Sequence, residues 1–194
     1  MAKLPDPVTP LTPEAQEVYD ELVSSRGALH GPYRSLIHHP ELARRVGSLG
    51  SFLRFGNGAL PGNVRELLIL TVARKIDSPF EWVMHTPHAL KEGLPEDVIE
   101  SIRQNKEPSV LSPLQADALK AARCVFDRRS IPKDLQERLI EAVGIQGVIE
   151  LVVLAGFYQM IGEIISSFDT PLPEGASDPF AGAARFNCER GRAT

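Results

Sequence analysis

The sequence predicts an all-α fold, a compact multi-helix domain, and three observations lead to this prediction. Apolar residues recur at spacings of three and four along most of the chain, as in helices with one buried face. Runs that alternate apolar and polar residues, the pattern of strands, are missing. Proline stands at the start of several helical patterns, where its missing N–H costs little. The predicted helices cover residues 12–25, 39–56, 63–76, 79–93, 95–104, 112–129, 132–144 and 145–168.

The first two predicted helices have recognisable starts. The first, 12–25, opens with Thr12 as a capping residue, followed by a proline. The second, 39–56, begins at the pair His38-His39, and we expect these side chains to satisfy free N–H groups of the helix start. Its apolar residues are spaced by four, three and four, and they are Leu42, Val46, Leu49 and Leu53.

The later helices differ in how much apolar surface they carry. The pattern of 63–76 is apolar nearly all round, so we expect this helix at the centre of the fold. The stretch 79–93 ends at Gly93, which suits a C-cap, and 112–129 opens with a Ser-Pro pair that predicts a helix start. The last helix, 145–168, is long and mostly apolar, which predicts burial against several partners.

The two ends of the chain lack helical periodicity and are rich in proline, glycine or both. We therefore predict an N-terminal arm over residues 1–11 and a C-terminal arm over 171–194, either disordered or laid on a partner subunit. Between them lies one predicted helical domain, 12–170.

Charge and composition exclude several classes of function. The chain has 194 residues, a net charge of −4 and dispersed lysines and arginines, which argues against nucleic-acid binding. Its start has no apolar signal segment, and Glu150, Gln159 and Glu163 interrupt the longest apolar run. We therefore expect a cytoplasmic protein without a membrane partner. Cys124 and Cys188 form no CxxC motif, so neither a disulfide framework nor a thiolate zinc site is expected.

The stretch "DSPFEWVMHTPHALKEGL", residues 77–94, places a carboxylate and two imidazoles on one helix face. Glu81, His85 and His88 are spaced by four and three, so they are neighbours on the helix surface. A carboxylate beside a histidine orients the ring and favours its protonated form, whereas burial favours the neutral form. Pro87 removes a backbone N–H and predicts a bend beside His85. This balance predicts a histidine that gives or takes a proton near neutral pH.

Structural and metal-binding interpretations compete with this acid–base interpretation. A histidine near an apolar helix face is commonly a hydrogen-bonded structural residue, and His88 suits a pocket rim or a structural bond. Two histidines and one carboxylate can bind iron or zinc, but three ligands from one helix rarely converge and HExxH is absent, so no metal is expected. Trp82 suits the core or an interface better than a substrate platform.

The stretch "RELLILTVARKIDSPFEWVMHTPHALKEGLPEDVIESI", residues 65–102, resembles the carboxymuconolactone decarboxylase superfamily, which includes the alkylhydroperoxidase-D-like proteins. The family pattern has an Arg-Glu pair, matched by Arg65 and Glu66, and a later histidine, matched by His85. It also has a CxxC motif or its replacement four residues before that histidine. Ser78 and Glu81 occupy the two cysteine positions here. The resemblance extends over roughly residues 30–170.

The replaced cysteines indicate the branch of the superfamily. The resemblance implies that peroxidases need both thiols, and neither Ser78 nor Glu81 can do thiol chemistry. A peroxidase or disulfide reductase is therefore not expected, and the chain resembles the decarboxylase branch. That branch implies an all-α fold of the alkylhydroperoxidase-D-like type and a homo-oligomer, trimer or hexamer. It also implies an acidic lactone from aromatic compound catabolism as substrate, without metal or organic cofactor.

The resemblance also implies roles for individual residues. His85 is expected to be the general acid that protonates carbon, Glu81 to orient and charge it, and Glu66 to complete a proton relay. An ion pair with a nearby arginine is the alternative for Glu66. The residues expected to bind substrate are His88, Trp82, Tyr33 and Tyr158, and Arg45 and Arg74 are candidate partners for its carboxylate.

Other reactions and one non-catalytic role remain open from the sequence. The same Glu/His site suits a dehydration, a double-bond shift or a lactone opening as well as decarboxylation. Two acidic groups beside an anionic substrate require a protonated carboxyl or a less acidic substrate. The alternative from another class is a non-catalytic oligomeric protein that binds a ligand or assembles with a partner.

Overall fold

The computed structural model describes residue 4 and residues 10–56 and 58–182, and all regular structure in this part of the chain is α-helical. No strand occurs within these residues, so the predicted all-α class is confirmed there. The helices are α1 (Pro13–Arg26), α2 (Pro32–Leu36), α3 (Pro40–Phe55), α4 (Gly62–Lys75), α5 (Pro79–Lys91), α6 (Glu96–Arg103), α7 (Pro113–Phe126) and α8 (Lys133–Ser167).

The helix starts follow from the sequence that precedes them. At α1, the Thr12 hydroxyl accepts a hydrogen bond from the backbone N–H of Ala15 at 3.2 Å. At α3, Nδ1 of His39 accepts one from the backbone N–H of Leu42 at 3.4 Å, as expected for a histidine at a helix start. Every predicted helical pattern overlaps a helix of the structure. The helix that periodicity missed is α2, because its five residues are too few to show a period.

The predicted helices 132–144 and 145–168 are merged in α8, and a break in the backbone lies at their predicted boundary. Gly144 has φ 71° and ψ 172°, a conformation that is open almost only to glycine. The residues before and after it are helical. The sequence therefore predicted two helical segments with their boundary at this glycine, and the structure confirms the break.

The described helices group into two compact units, where the sequence predicted one helical domain. The first unit lies within Met1–Asn57 and Glu163–Pro171, and the second within Gly58–Gly162 and Leu172–Thr194. In the first unit, Arg26 donates a hydrogen bond to the carbonyl of Gly47 at 2.6 Å, and its guanidinium lies over the Tyr33 ring. Arg44 forms ion pairs with glutamates of α1 and α3.

The second unit is built around α4, as its all-round apolar pattern predicted. This helix packs against α5, α6 and α7, and most of its side chains are buried. The larger buried side chains of the associated core are Leu67, Leu70, Trp82, Leu94, Val98, Ile99, Ile102, Leu119 and Phe180. The burial of so much of α4 is what allows it to hold a charged residue, Glu66, away from water.

The described part of the predicted C-terminal arm, 171–182, differs from expectation. Phe180 is 1% exposed, and its ring meets that of Trp82 edge-on at 5.3 Å between centroids. Arg103 donates a hydrogen bond to the carbonyl of Pro179 at 2.9 Å. An aromatic side chain in the core thus anchors a segment without helical periodicity. Residues 183–194, and all of the predicted N-terminal arm except residues 4, 10 and 11, lie outside the described residues.

The last helix is less buried than its composition predicted. Leu151, Leu154 and Tyr158 are buried, whereas Ile145 is 64% and Ile149 58% exposed in the single chain. By length and composition alone, α8 would be able to cross a membrane, but a core helix of a soluble protein passes the same test. The predicted cytoplasmic location and the absence of a membrane partner stay predictions.

Candidate active site

Two consecutive helices of the second unit bring three ionisable side chains together. Glu66 lies in the first half of α4, and Glu81 and His85 lie one turn apart on α5. All three are buried, with exposed fractions of 3–4%. Buried charged groups are rare in proteins unless they are paired, and these three are paired with one another.

His85 lies between the two carboxylates. Its Nδ1 is 2.8 Å from Oε2 of Glu66, a full hydrogen bond between α5 and α4. Its Nε2 is 3.4 Å from Oε2 of Glu81, which is an ion-pair distance and a longer contact. A protonated imidazole donates from both nitrogens, so the arrangement holds the ring with each N–H directed at a carboxylate.

The surroundings of His85 act on its pKa in opposite directions. Burial favours the neutral ring and lowers the pKa. The hydrogen bonds and negative charges of Glu66 and Glu81 favour the imidazolium and outweigh burial, so the pKa of His85 is raised above its usual value. With both glutamates ionised and His85 protonated, the cluster carries one net negative charge. In that protonation state the cluster does not favour the binding of an anion.

Two of the residues predicted to bind substrate lie beside His85. The Tyr158 ring, from α8, meets the His85 ring edge-on at 5.1 Å between centroids and is buried. The His88 ring is tilted to that of His85 at 6.0 Å and is exposed in the single chain, as a residue at a pocket rim would be. α5 continues through Pro87, and the bend predicted there stays a prediction.

The other two predicted substrate-binding residues do not join this cluster. Trp82 is a core residue: it is 4% exposed and packs on Phe180, because it points to the apolar face of α5. This packing agrees with the core role weighed beside it, and its substrate-binding role stays a prediction. Tyr33 belongs to the first unit, where Arg26 contacts its ring and hydroxyl, and its substrate-binding role stays a prediction.

The two arginines proposed for a substrate carboxylate have other partners. Arg74 is buried, pairs with Asp77, donates to the carbonyl of Arg103 at 2.8 Å and lies over the Phe180 ring. Arg45 is 78% exposed in its side chain and pairs with Glu41 at 2.7 Å. These contacts explain both arginines as structural residues, and none of them involves the His85 cluster.

Glu66, Glu81 and His85 lie outside the two cavities described in the structure, and they do not form a metal site there. Within the described residues, no group of three or more histidine, cysteine or acidic side chains is arranged to hold a metal ion. The cavities, of about 380 and 180 Å³, have other lining residues. The larger one has a basic rim that includes Lys106 and Arg123.

In the sequence, Ser78 stands out only as the residue that replaces a cysteine, whereas in the structure its environment is unusual. It is the N-cap residue of α5 and is buried, yet its hydroxyl has no hydrogen-bond partner among the residues that the structure describes. Buried hydroxyls are nearly always paired, so such an atom requires an explanation. No sequence signal reveals it, because a serine before a helix usually caps that helix.

Comparison with known proteins supports the resemblance seen in the sequence. Residues 40–123 match the model of the carboxymuconolactone decarboxylase family, and this segment contains Glu66, Glu81 and His85. The chain is also similar to the crystal structure of an uncharacterized peroxidase-related protein from Silicibacter sp. TM1040. The TM-score is 0.72 at 17% identity, over 89% of this chain and 94% of the other, which shows a shared fold. No curated protein gives a significant match.

Proposed function

Because residues 40–123 match the model of the carboxymuconolactone decarboxylase family, we propose that the chain is a cofactor-independent acid–base enzyme of the lyase or isomerase type. The proposed reaction is the decarboxylation of a small carboxylated lactone or a similar cyclic carbonyl acid. The observation that carries the proposal is His85, buried and held between the carboxylates of Glu66 and Glu81. Such an arrangement keeps a proton available where water does not compete for it.

The reaction needs one proton at one carbon atom. When the bond to the carboxylate carbon breaks, CO₂ leaves and its electron pair moves into a conjugated carbonyl, which becomes an enolate. His85 then gives its proton to the carbon, and the carbonyl forms again. The two carboxylates raise the pKa of His85, which favours the protonated ring that acts as the acid.

The two glutamates have different parts in this scheme. Glu66 holds Nδ1 at 2.8 Å and stabilises the imidazolium before the proton is transferred. Glu81 contacts Nε2 at the longer distance of 3.4 Å. A substrate that replaces this contact therefore breaks a weaker interaction than one that replaces the 2.8 Å bond at Nδ1. Nε2 is therefore the proposed donor atom. A proton taken up from solvent restores the imidazolium after turnover, because the decarboxylation consumes one proton.

The net negative charge of the cluster restricts how an acidic substrate binds. A substrate carboxylate beside two ionised glutamates would be repelled strongly in a buried site. The proposal therefore requires that one glutamate takes up a proton with the substrate, or that the carboxylate lies away from both. The same charge favours reactions that begin at a neutral carbonyl, such as a double-bond shift, which is why isomerisation stays within the proposal.

A non-catalytic role as an oligomeric ligand-binding or assembly protein is the second candidate. The exposed apolar residues Ile145 and Ile149 on α8 favour it, because such residues are typical of a surface that a partner covers. They do not oppose an enzyme, since an enzyme of this family would also be oligomeric. The buried cluster favours catalysis, because an apolar core of equal size would serve a scaffold as well.

The experiment measures CO₂ release from a panel of carboxylated lactones and β-keto acids, with the native protein, His85→Gln and His39→Gln. His39 is an exposed residue of the first unit and is the matched control. We expect release that His85→Gln reduces by about 10²- to 10⁴-fold, the usual contribution of a general acid, and that His39→Gln leaves unchanged. Isomerisation of the same compounds is followed by NMR. If the native protein neither releases CO₂ nor isomerises any compound, the binding role replaces the proposal.

A further inference from the structure

The chain contains the same helix-start motif twice, with different outcomes. Ser78-Pro79-Phe80-Glu81 precedes α5, and Ser112-Pro113-Leu114-Gln115 precedes α7. Serine followed three residues later by Glu or Gln is the capping-box motif, in which two reciprocal bonds join the serine and the third helical residue. Both stretches therefore predict a capping box.

The α7 motif forms the box. The Ser112 hydroxyl accepts a hydrogen bond from the backbone N–H of Gln115 at 3.2 Å, and the Gln115 side chain accepts one from the Ser112 N–H at 2.9 Å. The ψ angle of Ser112 is 158°, close to the 155° of Thr12, which caps α1. This is the backbone conformation that turns a capping hydroxyl toward the helix.

The α5 motif forms neither bond. Ser78 has ψ 94°, and its buried hydroxyl has no partner within residues 10–56 and 58–182. The Glu81 carboxylate contacts His85 instead of turning back to Ser78. The backbone N–H of Ser78 donates to the carbonyl of Ala73 at 2.8 Å, so it does not need Glu81. Neither side chain of the motif is thus used for capping: Glu81 contacts His85, and the Ser78 hydroxyl is left over.

Ser78 lies on the same side of α5 as the His85 cluster. Ser78, Glu81 and His85 are spaced by three and four residues, which places them on one helix face. This face packs against one stretch of α8: the Tyr158 ring contacts that of His85, and a Cβ at Gly162 would lie 3.9 Å from Cβ of Ser78. Tyr158 and Gly162 are one turn apart on α8. Ser78 and His85 therefore pack against the same stretch of that helix.

We infer that Ser78 is a substrate-binding residue whose hydroxyl donates a hydrogen bond to a neutral carbonyl oxygen of the substrate, such as that of a lactone or ketone. This inference rests on the proposed function, because it assigns a partner to the same site. Both nitrogens of His85 already face carboxylates, and an ionised carboxylate accepts hydrogen bonds but does not donate them. A substrate carbonyl needs a donor, and the buried Ser78 hydroxyl supplies one that no described group uses.

Loss of the serine hydroxyl is expected to change protein stability differently for a capping serine and for a serine that donates to substrate. Removing a cap costs stability, whereas removing a buried hydroxyl that has no partner costs none or improves stability. Ser112 provides the matched control, because it also precedes a proline and the third helical residue of a capping-box motif, and it forms the cap. The two variants are Ser78→Ala and Ser112→Ala, both made in the full chain.

Thermal unfolding and kinetics then test the inference. We expect Ser112→Ala to lower Tm and to leave KM unchanged, and Ser78→Ala to leave Tm unchanged or raise it. For a panel compound that turns over, Ser78→Ala should raise KM by roughly three- to tenfold, the effect of one neutral hydrogen bond. A Tm loss in Ser78→Ala equal to that of Ser112→Ala would overturn the inference. So would an unchanged KM.

A crystal structure with bound lactone separates this inference from the proposed reaction. The probe is a carboxylated γ-butyrolactone, soaked into crystals of His85→Gln. A carbonyl oxygen within hydrogen-bond distance of the Ser78 hydroxyl supports the inference even if the native protein proves to be inactive on the panel. A hydroxyl bonded to the backbone N–H of Glu81, or a site without the probe, overturns it. Loss of activity in His85→Gln alone would concern only the proposed function.

Discussion

Nδ1 of His85 lies 2.8 Å from Oε2 of Glu66, a residue of the preceding helix. The two residues are 19 positions apart, and both are buried. The bond fixes the ring orientation and places a proton on Nδ1, so the other nitrogen is the one directed at Glu81. A single interhelical contact thus decides which atom of His85 is left for chemistry.

The pH dependence of stability is the first prediction from this pair. The folded pKa of His85 is raised, so its stabilising effect is full below the unfolded pKa of 6.5 and is lost as pH rises through the folded pKa. We expect the free energy of unfolding of the native protein, relative to His85→Gln, to be largest below the unfolded pKa and to decrease as pH rises above it. Urea unfolding at several pH values measures this difference.

The sign of the trend decides between two electrostatic descriptions of the site. If burial dominated and kept His85 neutral, its folded pKa would lie below the unfolded one, and the native protein would gain stability over His85→Gln as pH rises. A difference that grows with pH would therefore contradict the dominance of Glu66 and Glu81. The variant His39→Gln controls for titration of a histidine outside the cluster.

The second prediction concerns the alkaline limb of the pH–rate profile. Because Glu66 raises the pKa of His85, the variant Glu66→Gln should lower that pKa and move the limb to lower pH. Glu81→Gln should move it less, since its contact is 3.4 Å rather than 2.8 Å. The measurement is kcat/KM against pH for a compound that the native protein turns over.

Glu141→Gln is the control for this series, because Glu141 is an exposed glutamate of the second unit. It should leave the limb in place. An alkaline limb that stays at the same pH in Glu66→Gln would mean that the titrating acid is not His85. A larger shift in Glu81→Gln than in Glu66→Gln would mean that the 2.8 Å bond is not the stronger influence.

The sequence predicted that Glu81 and His85 lie together on α5, but it did not predict the contact of His85 with Glu66 on α4. Glu81 and His85 are one turn apart, so their proximity follows from helical spacing alone. Glu66 was assigned only through resemblance, because its distance to His85 depends on how α4 packs on α5. The orphan hydroxyl of Ser78 was not predictable, since the same motif at Ser112 forms an ordinary cap.

The fold shows the same division between local and tertiary information. Helix starts were predicted because prolines and capping side chains act within a few residues. The burial of Phe180 was not, because one aromatic residue in a segment without periodicity carries no pattern that indicates where it packs. The exposure of Ile145 was missed for the opposite reason: an apolar residue indicates burial, but not whether its own chain or another provides it.

The third prediction tests whether residues 172–182 are part of the folded unit. Phe180→Ala removes a ring that is 1% exposed and packs on Trp82 and under Arg74. We expect a loss of about 3 kcal/mol or more in the free energy of unfolding, as for other buried Phe→Ala changes. Phe55→Ala is the comparison, since Phe55 is 54% exposed, and it should cost less than about 1 kcal/mol. Equal effects of the two variants would show that the C-terminal segment does not contribute to the core.

The fourth prediction compares two glycines of α8 that differ only in backbone conformation. Neither Gly144 nor Gly156 has an atom within 4 Å of the position that a Cβ would occupy, so space is available at both. Gly144 has φ +71° and ψ 172°, whereas Gly156 is helical and exposed. Any difference between alanine substitutions must therefore arise from the backbone and not from crowding.

Gly144→Ala should destabilise the protein by about 1–3 kcal/mol, because alanine is strained in this conformation and the break in α8 must either persist at that cost or straighten. Gly156→Ala should stabilise it by about 0.5–1 kcal/mol, since alanine loses less conformational entropy in a helix. Urea unfolding of both variants gives the two signs. A stabilised Gly144→Ala would mean that α8 is a continuous helix through residue 144 in solution, and that the predicted boundary between 132–144 and 145–168 is not a break.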